Sequence, residues 1–240
     1  MAGPRNILIT GGTSGIGLAL ADRLSNKHRI LVTGRTCTPA LDVLIGERPD
    51  VEFLSLDQSD PTQIASALQQ KLDEKGWQHI DNAVLNAGVG FVTDPVAETA
   101  TAIRQTLRVN LAANIAIAHF LYPYLSKNMG MLSLIGSTAR KGAPDFASYA
   151  ASKAALHGLA RGLKEEWRSK VWVQALHPGP TKTDMHQKAG LKLGLVRMVF
   201  IDPKSMAQMI EHAMARHKFS ANLGLANYWG GGQFFGKGLQ

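Results

Sequence analysis

The most informative part of the sequence is ILITGGTSGIG, residues 7–17. An apolar run typical of a buried strand leads directly into glycines at positions 11, 15 and 17, and a helical pattern follows. Glycines in this context allow a tight turn, leave backbone N–H groups free at the start of a helix, and let helix and strand pack closely. We therefore predict a turn that binds the pyrophosphate of a dinucleotide. The alternative is a glycine turn that only joins two elements, since the spacing Gly-x-x-x-Gly-x-Gly is one residue longer than the commoner pattern.

Beyond this stretch, short apolar runs alternate with helical patterns along the chain. This alternation is typical of an α/β protein with a doubly wound parallel sheet and helices on both faces. We predict about seven strands in a single domain spanning residues 1–240. The predicted strands are Asn6–Thr10, Arg29–Val32, Val51–Leu56, Asn82–Leu85, Met131–Ile135, Val171–Leu176 and Asn222–Tyr228. The predicted helices are Ile16–Ser25, Pro61–Lys75, Ala100–Lys127, Tyr149–Arg168 and Ser205–Arg216.

The composition indicates a folded protein of a reducing compartment. Hydrophobic residues make up 45% and charged residues 18%, which excludes global disorder. The formal charge of +8 permits a polyanionic partner without requiring one. The single cysteine, Cys37, cannot form an intramolecular disulfide. The start of the chain lacks an apolar stretch of signal-peptide length, and the apolar region 103–125 carries polar residues that are costly in a bilayer. We expect a cytoplasmic protein without a membrane partner.

The end of the second predicted strand indicates which dinucleotide is bound. An acidic residue about twenty positions after the glycines contacts a free ribose 2′-hydroxyl, whereas an arginine nearby accommodates a 2′-phosphate. Here Gly34 stands in the acidic position and Arg35 follows it. A guanidinium binds phosphate through charge-assisted hydrogen bonds. We therefore predict NADP(H) rather than NAD, against the alternative of an ordinary exposed arginine.

Tyr149 and Lys153 lie one turn apart on the same face of a predicted helix. A nearby cation favours the tyrosinate and lowers the pKa of a phenol from about 10 toward neutral pH. A phenol with such a pKa can donate or accept a proton during catalysis. The spacing alone is weak, because Tyr-x-x-x-Lys also occurs by chance on helix surfaces.

Four motifs stand in a recognisable order along the chain. They are Thr10-Gly11-x-x-x-Gly15-x-Gly17, Asn86-Ala87-Gly88, Ser137 upstream of Tyr149-x-x-x-Lys153, and Pro178-Gly179-Pro180-Thr181. In order and approximate spacing they resemble the short-chain dehydrogenase/reductase family, and the match extends from residue 7 to about residue 184. The resemblance implies a Rossmann-type fold and an oxidoreductase that moves a hydride between NADP(H) and a carbonyl or secondary alcohol. It also implies a homodimer or homotetramer that pairs through helices 100–127 and 149–168.

The resemblance further implies a role for each matching residue. Tyr149 is expected to be the general acid/base and Lys153 to bind the ribose hydroxyls and lower the pKa of the tyrosine. Ser137 is expected to bind the substrate carbonyl, and Asn110 to hold a water for proton relay. A hydroxyl beside a proton donor suits this chemistry, because hydride addition to a carbonyl leaves an alkoxide. The implied cofactor contacts are Gly11, Thr13, Ser14, Gly15, Ile16, Gly17, Arg35, Asp57, Gln58, Asn86, Ala87, Gly88, Tyr149, Lys153, Pro178, Gly179, Thr181 and Thr183.

The sequence departs from the family pattern at three places. Leu85 replaces the first of two asparagines that often precede Ala-Gly. Ser137 lies one residue closer to Tyr149 than is usual, so Thr138 stays open as an alternative catalytic hydroxyl. The segment 228–235 resembles the family ending only loosely.

The segment Met185–Phe200 lies where the family places its substrate lid. It combines apolar residues with Lys188, Lys192 and Arg197. We predict a lid over an apolar small-molecule substrate, with an amphipathic helix docked on the core as the alternative. His177 and His186 flank the predicted site, and we assign neither a catalytic role.

Two other classes of function are compatible with parts of the sequence. One is a non-catalytic dinucleotide-binding sensor or scaffold, which the joint presence of Asn110, Ser137, Tyr149 and Lys153 disfavours. The other is nucleic-acid binding, which rests on the net charge alone. We expect neither a nucleic-acid partner nor a metal ion.

Overall fold

The computed structural model describes residues 3–91, 98–183 and 200–224. In these ranges seven parallel strands form one sheet in the order β3-β2-β1-β4-β5-β6-β7. The order reverses between β1 and β4, and ligands of such sheets bind at this point beyond the carboxyl ends of the strands. The strands are β1 (Asn6–Thr10), β2 (Arg29–Gly34), β3 (Val51–Ser55), β4 (Asn82–Leu85), β5 (Met131–Ile135), β6 (Trp172–Pro178) and β7 (Ser220–Leu223).

Helices cover both faces of the sheet, as the alternating sequence pattern predicts. Within the described ranges they are α1 (Gly15–Ser25), α2 (Pro39–Glu47), α3 (Pro61–Glu74), α4 (Ala100–Leu107), α5 (Ala113–Leu125), α6 (Ala147–Glu166) and α7 (Pro203–Ala215). Leu8 packs with apolar residues of α3, α5 and α6, whereas Ile7 and Ile9 pack with those of α1, α2 and α7. Successive side chains of a strand point to opposite faces, so a strand with two covered faces is a continuous apolar run. The predicted fold class is therefore confirmed.

Helix α2 is absent from the sequence-based prediction. It has nine residues, of which Leu41 and Leu44 are buried, too few to establish a helical period. Its start nevertheless carries a clear signal: the Thr38 side chain accepts a hydrogen bond from the backbone N–H of Leu41, and Pro39 occupies the first turn. The same combination of cap and proline begins α3 and α7.

The long helix predicted over residues 100–127 is interrupted. A π turn, Arg108–Ala112, separates α4 from α5. The Asn114 side-chain amide donates hydrogen bonds to the carbonyls of Val109 (3.3 Å) and Asn110 (2.8 Å). The predicted range is helical throughout, but the π turn within it was not predicted, because one extra residue in a turn hardly changes the apolar pattern.

Some predicted segments lie largely outside the described residues. Strand β7 begins at Ser220, two residues before the predicted start at Asn222, and residues 225–228 of the predicted strand lie outside the described ranges. The predicted lid, Met185–Phe200, is described only at its last residue. No helix in the described ranges is long and apolar enough to cross a membrane.

Candidate active site

The glycines of the first loop occupy positions that exclude a side chain. An ideal Cβ on Gly11 would lie 2.6 Å from the Cα of Ala87, and one on Gly17 would lie 2.3 Å from the carbonyl oxygen of Gly11. Gly11 and Gly15 also have φ values of +62° and +55°, in the left-handed region. A Cβ on Gly15 would lie 3.0 Å from the Thr183 Cγ2 atom. The glycine turn therefore meets the segments after β4 and after β6, as the motif order predicts.

Hydrogen bonds hold the glycine turn against the end of β4. Thr10 Oγ1 accepts from the backbone N–H groups of Asn86 (3.0 Å) and Ala87 (3.1 Å). The Asn86 side-chain amide donates to the carbonyls of Thr10 (3.1 Å) and Gly11 (3.0 Å). Asn86 thus supports the shape of the turn, which is a different task from the cofactor contact that the family resemblance implies.

The N-terminus of α1 follows the glycine turn at the carboxyl edge of the sheet. Its N-cap residue, Ser14, makes no side-chain capping hydrogen bond, and the first turn contains no acidic residue. The uncapped N–H groups and the positive end of the helix dipole suit an anion such as a pyrophosphate.

Residues after β2 and β3 border the same edge. A Cβ on Gly34 would lie 2.4 Å from the Thr13 Cγ2 atom, so the loop after β2 abuts the glycine turn. Arg35 and Asp57 are exposed there. Gln58 is buried, and its side-chain Nε2 has no partner among the described residues. An orphaned buried amide is costly and suits a polar ligand such as the adenine ring of a dinucleotide.

Tyr149 and Lys153 lie on α6 and are both almost fully buried, with 7% and 3% of their surface exposed. Lys153 Nζ donates a 2.9 Å hydrogen bond to the carbonyl of Ile135, the last residue of β5. The same Nζ lies 5.7 Å from the centre of the Tyr149 ring. The predicted pairing of a phenol and an ammonium is therefore present at the carboxyl end of β5.

Ser137 lies directly after β5 and Gly136. Its Oγ accepts a 3.1 Å hydrogen bond from the backbone N–H of Ala139, and its side chain also hydrogen-bonds to Tyr149. The loop between Ser137 and Tyr149 is one residue shorter than is usual in the family. It contains a 3₁₀ turn, Thr138–Lys141, which is capped by Ser137 itself. This arrangement brings Ser137 to the phenol.

Burial controls the protonation of the Tyr149–Lys153 pair. Burial raises the pKa of Tyr149 to about 12, against the lowering effect of its hydrogen bond with Ser137. Burial also lowers the pKa of Lys153 to about 8. The sequence-based expectation of a lowered tyrosine pKa is corrected here, because it considered the cation and not the loss of water around both groups.

Asn110 occupies the π turn and is fully buried. Its side-chain oxygen accepts from the N–H of Val89 (2.8 Å), and its amide donates to the carbonyl of Val89 (2.8 Å) and to Ser152 Oγ (2.9 Å). A Cβ on Gly88 would lie 3.4 Å from Asn110 Oδ1 and 3.1 Å from Lys153 Nζ. The structure thus brings Asn110, Lys153 and the segment after β4 together.

The segment after β6 completes the edge. His177 and Pro178 end the strand, and the backbone N–H of Gly179 donates a 2.6 Å hydrogen bond to the carbonyl of Leu223 in β7. Thr181 Oγ1 donates to the carbonyl of Gly179 over 2.9 Å. These bonds carry the predicted cofactor-contacting segment, residues 178–183, from β6 toward the glycine turn.

Sequence reasoning missed several residues that support this site. Ser152 and Asn114 are both fully buried and hold Asn110 from two sides. His157 on α6 was also missed, and its ring contacts the fully buried His177, which we placed beside the site without a catalytic role. The polar character of these positions on otherwise apolar faces was the available signal. Among the described residues, no group of three His, Cys, Asp or Glu side chains could hold a metal ion.

Comparison with known proteins agrees with this geometry. The family model for short chain dehydrogenases matches residues 5–193. An uncharacterized oxidoreductase of Schizosaccharomyces pombe is 31% identical over 184 residues, which cover 75% of this chain and 72% of the relative. The 3-oxoacyl-[acyl-carrier-protein] reductase MabA of Mycobacterium tuberculosis is 29% identical over 213 residues, covering 87% of this chain and 82% of that protein. The chain belongs to the short-chain dehydrogenase/reductase family, whose members are oxidoreductases.

Solved structures show the same fold. A short-chain dehydrogenase from Sphingobium yanoikuyae in complex with NADPH superposes with a TM-score of 0.82 and 25% identity, covering 94% of this chain and 90% of that one. A short chain dehydrogenase from Burkholderia cenocepacia in complex with NADP superposes with a TM-score of 0.80 and 25% identity, covering 92% of this chain and 96% of that one. These complexes agree with the expected class of cofactor.

Proposed function

We propose that the protein is an NADP(H)-dependent reductase or dehydrogenase that interconverts a carbonyl and a secondary alcohol, with Tyr149 as the general acid/base. The observation that carries this proposal is the cluster at the carboxyl end of β5. There the Tyr149 phenol is hydrogen-bonded to Ser137 and lies beside the buried Lys153. The cluster borders the same sheet edge as the N-terminus of α1, which has no capping side chain from Ser14.

The residues at this edge suit a phosphorylated dinucleotide. The glycine turn and the start of α1 would hold the pyrophosphate, and the buried Gln58 amide would meet the adenine. Arg35, exposed after β2, would bind the 2′-phosphate, and this favours NADP(H) over NAD. When bound, the nicotinamide supplies or accepts the hydride.

The protein's own groups then control the proton. The raised pKa keeps Tyr149 protonated at neutral pH, so the phenol can donate to a substrate oxygen that gains negative charge. The hydroxyl of Ser137 stabilises the same oxygen by a hydrogen bond. The ammonium of Lys153 is mostly protonated at neutral pH and stabilises the tyrosinate that remains after proton transfer. Phe146 lies beside Tyr149, with ring centres 4.6 Å apart, and supports an apolar substrate.

A homo-oligomer is part of the proposal. Leu107 on α4 and Ile115 on α5 are large apolar residues with 39% and 36% of their surface exposed. Both lie in the region that the family resemblance assigns to subunit pairing. Exposed apolar groups of this kind support an interface between copies of the chain, which light scattering can detect.

Turnover of NADPH on a panel of ketones, aldehydes and quinones tests the proposal. The Tyr149→Phe variant should lose about 10²- to 10⁴-fold in turnover and retain NADPH binding, because only the proton donor is removed. Tyr124→Phe is the matched control, since Tyr124 bonds to Gln69 on the protein surface. Full activity of Tyr149→Phe would exclude the proposed mechanism. Binding of NADPH by the wild type without turnover of any carbonyl would indicate a non-catalytic dinucleotide-binding protein.

A further inference from the structure

Two histidines join the catalytic helix to the end of β6. His157 Nδ1 lies 3.2 Å from His177 Nε2, within hydrogen-bond distance. His157 is half-buried on α6 one turn after Lys153, and His177 is fully buried directly before Pro178. The pair therefore links the turn of α6 that carries Lys153 to the segment that approaches the glycine turn.

The surroundings select one tautomer of the pair. His177 Nδ1 is buried without a hydrogen-bond partner among the described residues, and an ideal Cβ on Gly136 would lie 2.3 Å from it. Buried N–H groups without a partner are rarer in proteins than unpaired acceptors, and the backbone of Gly136 leaves little room for a proton on this nitrogen. The proton of neutral His177 therefore belongs on Nε2, from which it is donated to the lone pair of His157 Nδ1.

Burial and neighbouring positive charges keep both rings neutral at neutral pH. Burial lowers the pKa of His177 to about 3, and the positive charges of Arg140, His157 when protonated, and Lys153 act in the same direction. Burial, Arg140 and Arg161 together lower the pKa of His157 below its ordinary value. Arg140 lies on the 3₁₀ turn after β5, whereas Lys153 and Arg161 lie on α6. The ring of Phe219, the residue before β7, also packs against the pair, with its centre 5.5 Å from that of the His157 ring.

Protonation of His157 breaks this arrangement. The added proton occupies Nδ1, so two N–H groups then face each other across 3.2 Å. His177 cannot shift its own proton to Nδ1 without orphaning a buried N–H beside Gly136. The hydrogen bond thus exists in the neutral state of His157 and is lost in the charged state.

We propose that His157 and His177 are positioning residues for cofactor binding, whose hydrogen bond holds the Lys153 turn of α6 against the ends of β5 and β6. The inference rests on the proposed function in one respect, which is that Lys153 contacts the cofactor. Lys153 Nζ is bound to the carbonyl of Ile135, next to the Gly136 that packs on His177. A displaced helix turn moves the ammonium relative to this carbonyl, and cofactor affinity falls.

Substitutions at His157 separate the hydrogen bond from the charge. His157→Leu removes the acceptor and should weaken NADP⁺ binding about tenfold at neutral and mildly alkaline pH. His157→Asn places an amide oxygen close to the position of Nδ1 and cannot be protonated. It should bind NADP⁺ as wild type does at neutral pH and lose less affinity on acidification. His212→Asn, an exposed position on α7, is the matched control and should follow the wild type throughout.

The dissociation constant of NADP⁺ is measured by calorimetry from about pH 5 to about pH 8 for all four proteins. The 2′-phosphate of the ligand also titrates in this range, but it affects all four proteins alike. Wild-type affinity for His157→Leu at neutral pH, or an unchanged acid loss in His157→Asn, overturns the inference. If His157→Leu fails to fold, the comparison of His157→Asn with wild type still decides. A wild type that binds no NADP⁺ at any pH contradicts the proposed function instead.

The contact itself is tested without any ligand. Long-range ¹H–¹⁵N spectra of histidine-labelled protein distinguish the tautomers of an imidazole. We expect His177 to carry its proton on Nε2 and to stay neutral well below the ordinary histidine pKa of about 6.5. A proton on Nδ1, or titration of His177 near that ordinary value, contradicts the positioning contact whatever the cofactor result.

Discussion

The Asn110 side-chain amide donates a 2.9 Å hydrogen bond to Ser152 Oγ, and this bond joins the π turn to α6, the helix that carries Tyr149 and Lys153. Ser152 Oγ in turn donates to the carbonyl of Tyr149 over 2.7 Å. Ser152 lies between Tyr149 and Lys153 in sequence and is fully buried. These hydrogen bonds set where α6 lies against the segment after β4, because Asn110 also bonds to the backbone N–H and carbonyl of Val89.

Ser152→Ala should lower both stability and turnover. The substitution removes a buried hydroxyl bonded to Asn110, at a cost of about 1 kcal/mol in the free energy of unfolding. Turnover should fall further than that loss of stability explains, because Asn110 and Tyr149 lose their shared contact. Urea unfolding and steady-state kinetics measure the two effects. Ser66→Ala on the exposed face of α3 is the control, and equal behaviour of the two variants contradicts the prediction.

Ser137→Ala and Thr138→Ala should differ sharply in activity. Ser137 hydrogen-bonds to Tyr149, so its loss should reduce kcat about 10²- to 10³-fold, as for other donors to a developing oxyanion. Thr138 begins the 3₁₀ turn and should tolerate alanine. Steady-state kinetics on any carbonyl that the wild type reduces compares the two variants. A larger loss in Thr138→Ala would transfer the catalytic role to that residue.

Arg35→Asp should reverse the preference between phosphorylated and unphosphorylated cofactor. A carboxylate after β2 repels a 2′-phosphate and accepts hydrogen bonds from a free ribose hydroxyl. Affinity for NADPH should fall by at least about tenfold more than affinity for NADH. Arg29→Asp makes the same charge change at the opposite end of β2, where the residue is also exposed. Equal losses for both cofactors would argue that Arg35 does not contact the 2′-phosphate.

Gly17→Ala should abolish cofactor binding or prevent folding. The added Cβ would lie 2.3 Å from the Gly11 carbonyl oxygen and 2.6 Å from the Asn86 amide, within the turn itself. Gly46→Ala is the control, because a Cβ there meets nothing within 4 Å on an exposed part of α2. Removing a helical glycine should raise stability there by about 0.5 to 1 kcal/mol. Thermal unfolding and cofactor titration compare both variants, and normal binding by Gly17→Ala contradicts the structure of the turn.

The buried His177 should make the protein sensitive to acid. Its pKa is about 3 in the folded state, below the ordinary value near 6.5, so the unfolded chain binds a proton at mildly acidic pH and the folded chain does not. The burial of neutral His177 does not reduce the free energy of unfolding above about pH 6.5. By pH 4 it lowers that free energy by roughly 3 kcal/mol. Urea unfolding at both pH values should show a smaller acid loss for His177→Gln than for wild type. The exposed His212→Gln should retain the full loss.

Much of the fold is predictable from sequence because its signals are local. The bounds of β1, β4 and β5 match the prediction, since each strand is a short and mostly apolar run bounded by polar residues or glycine. Helix α2 was not predicted because its two buried leucines form no helical period, although Thr38 and Pro39 mark its start. The π turn was not predicted because the Asn114 side chain, in the next helix, donates to carbonyls of the turn. No spacing of apolar residues reveals such hydrogen bonds.

Local sequence alone was sufficient to place the glycine turn, the alternation of strands and helices along the chain and the Tyr149–Lys153 spacing, because each depends on residues close together in the chain. Tertiary structure was required for everything that depends on burial or on contacts between distant segments. The raised pKa of Tyr149 follows from burial, which outweighs the lowering effect of its hydrogen bond with Ser137. The pairing of His157 with His177 joins residues twenty positions apart through the packing of α6 on β6. Protonation states and positioning contacts arise from the surroundings of a side chain, and only the folded chain supplies those surroundings.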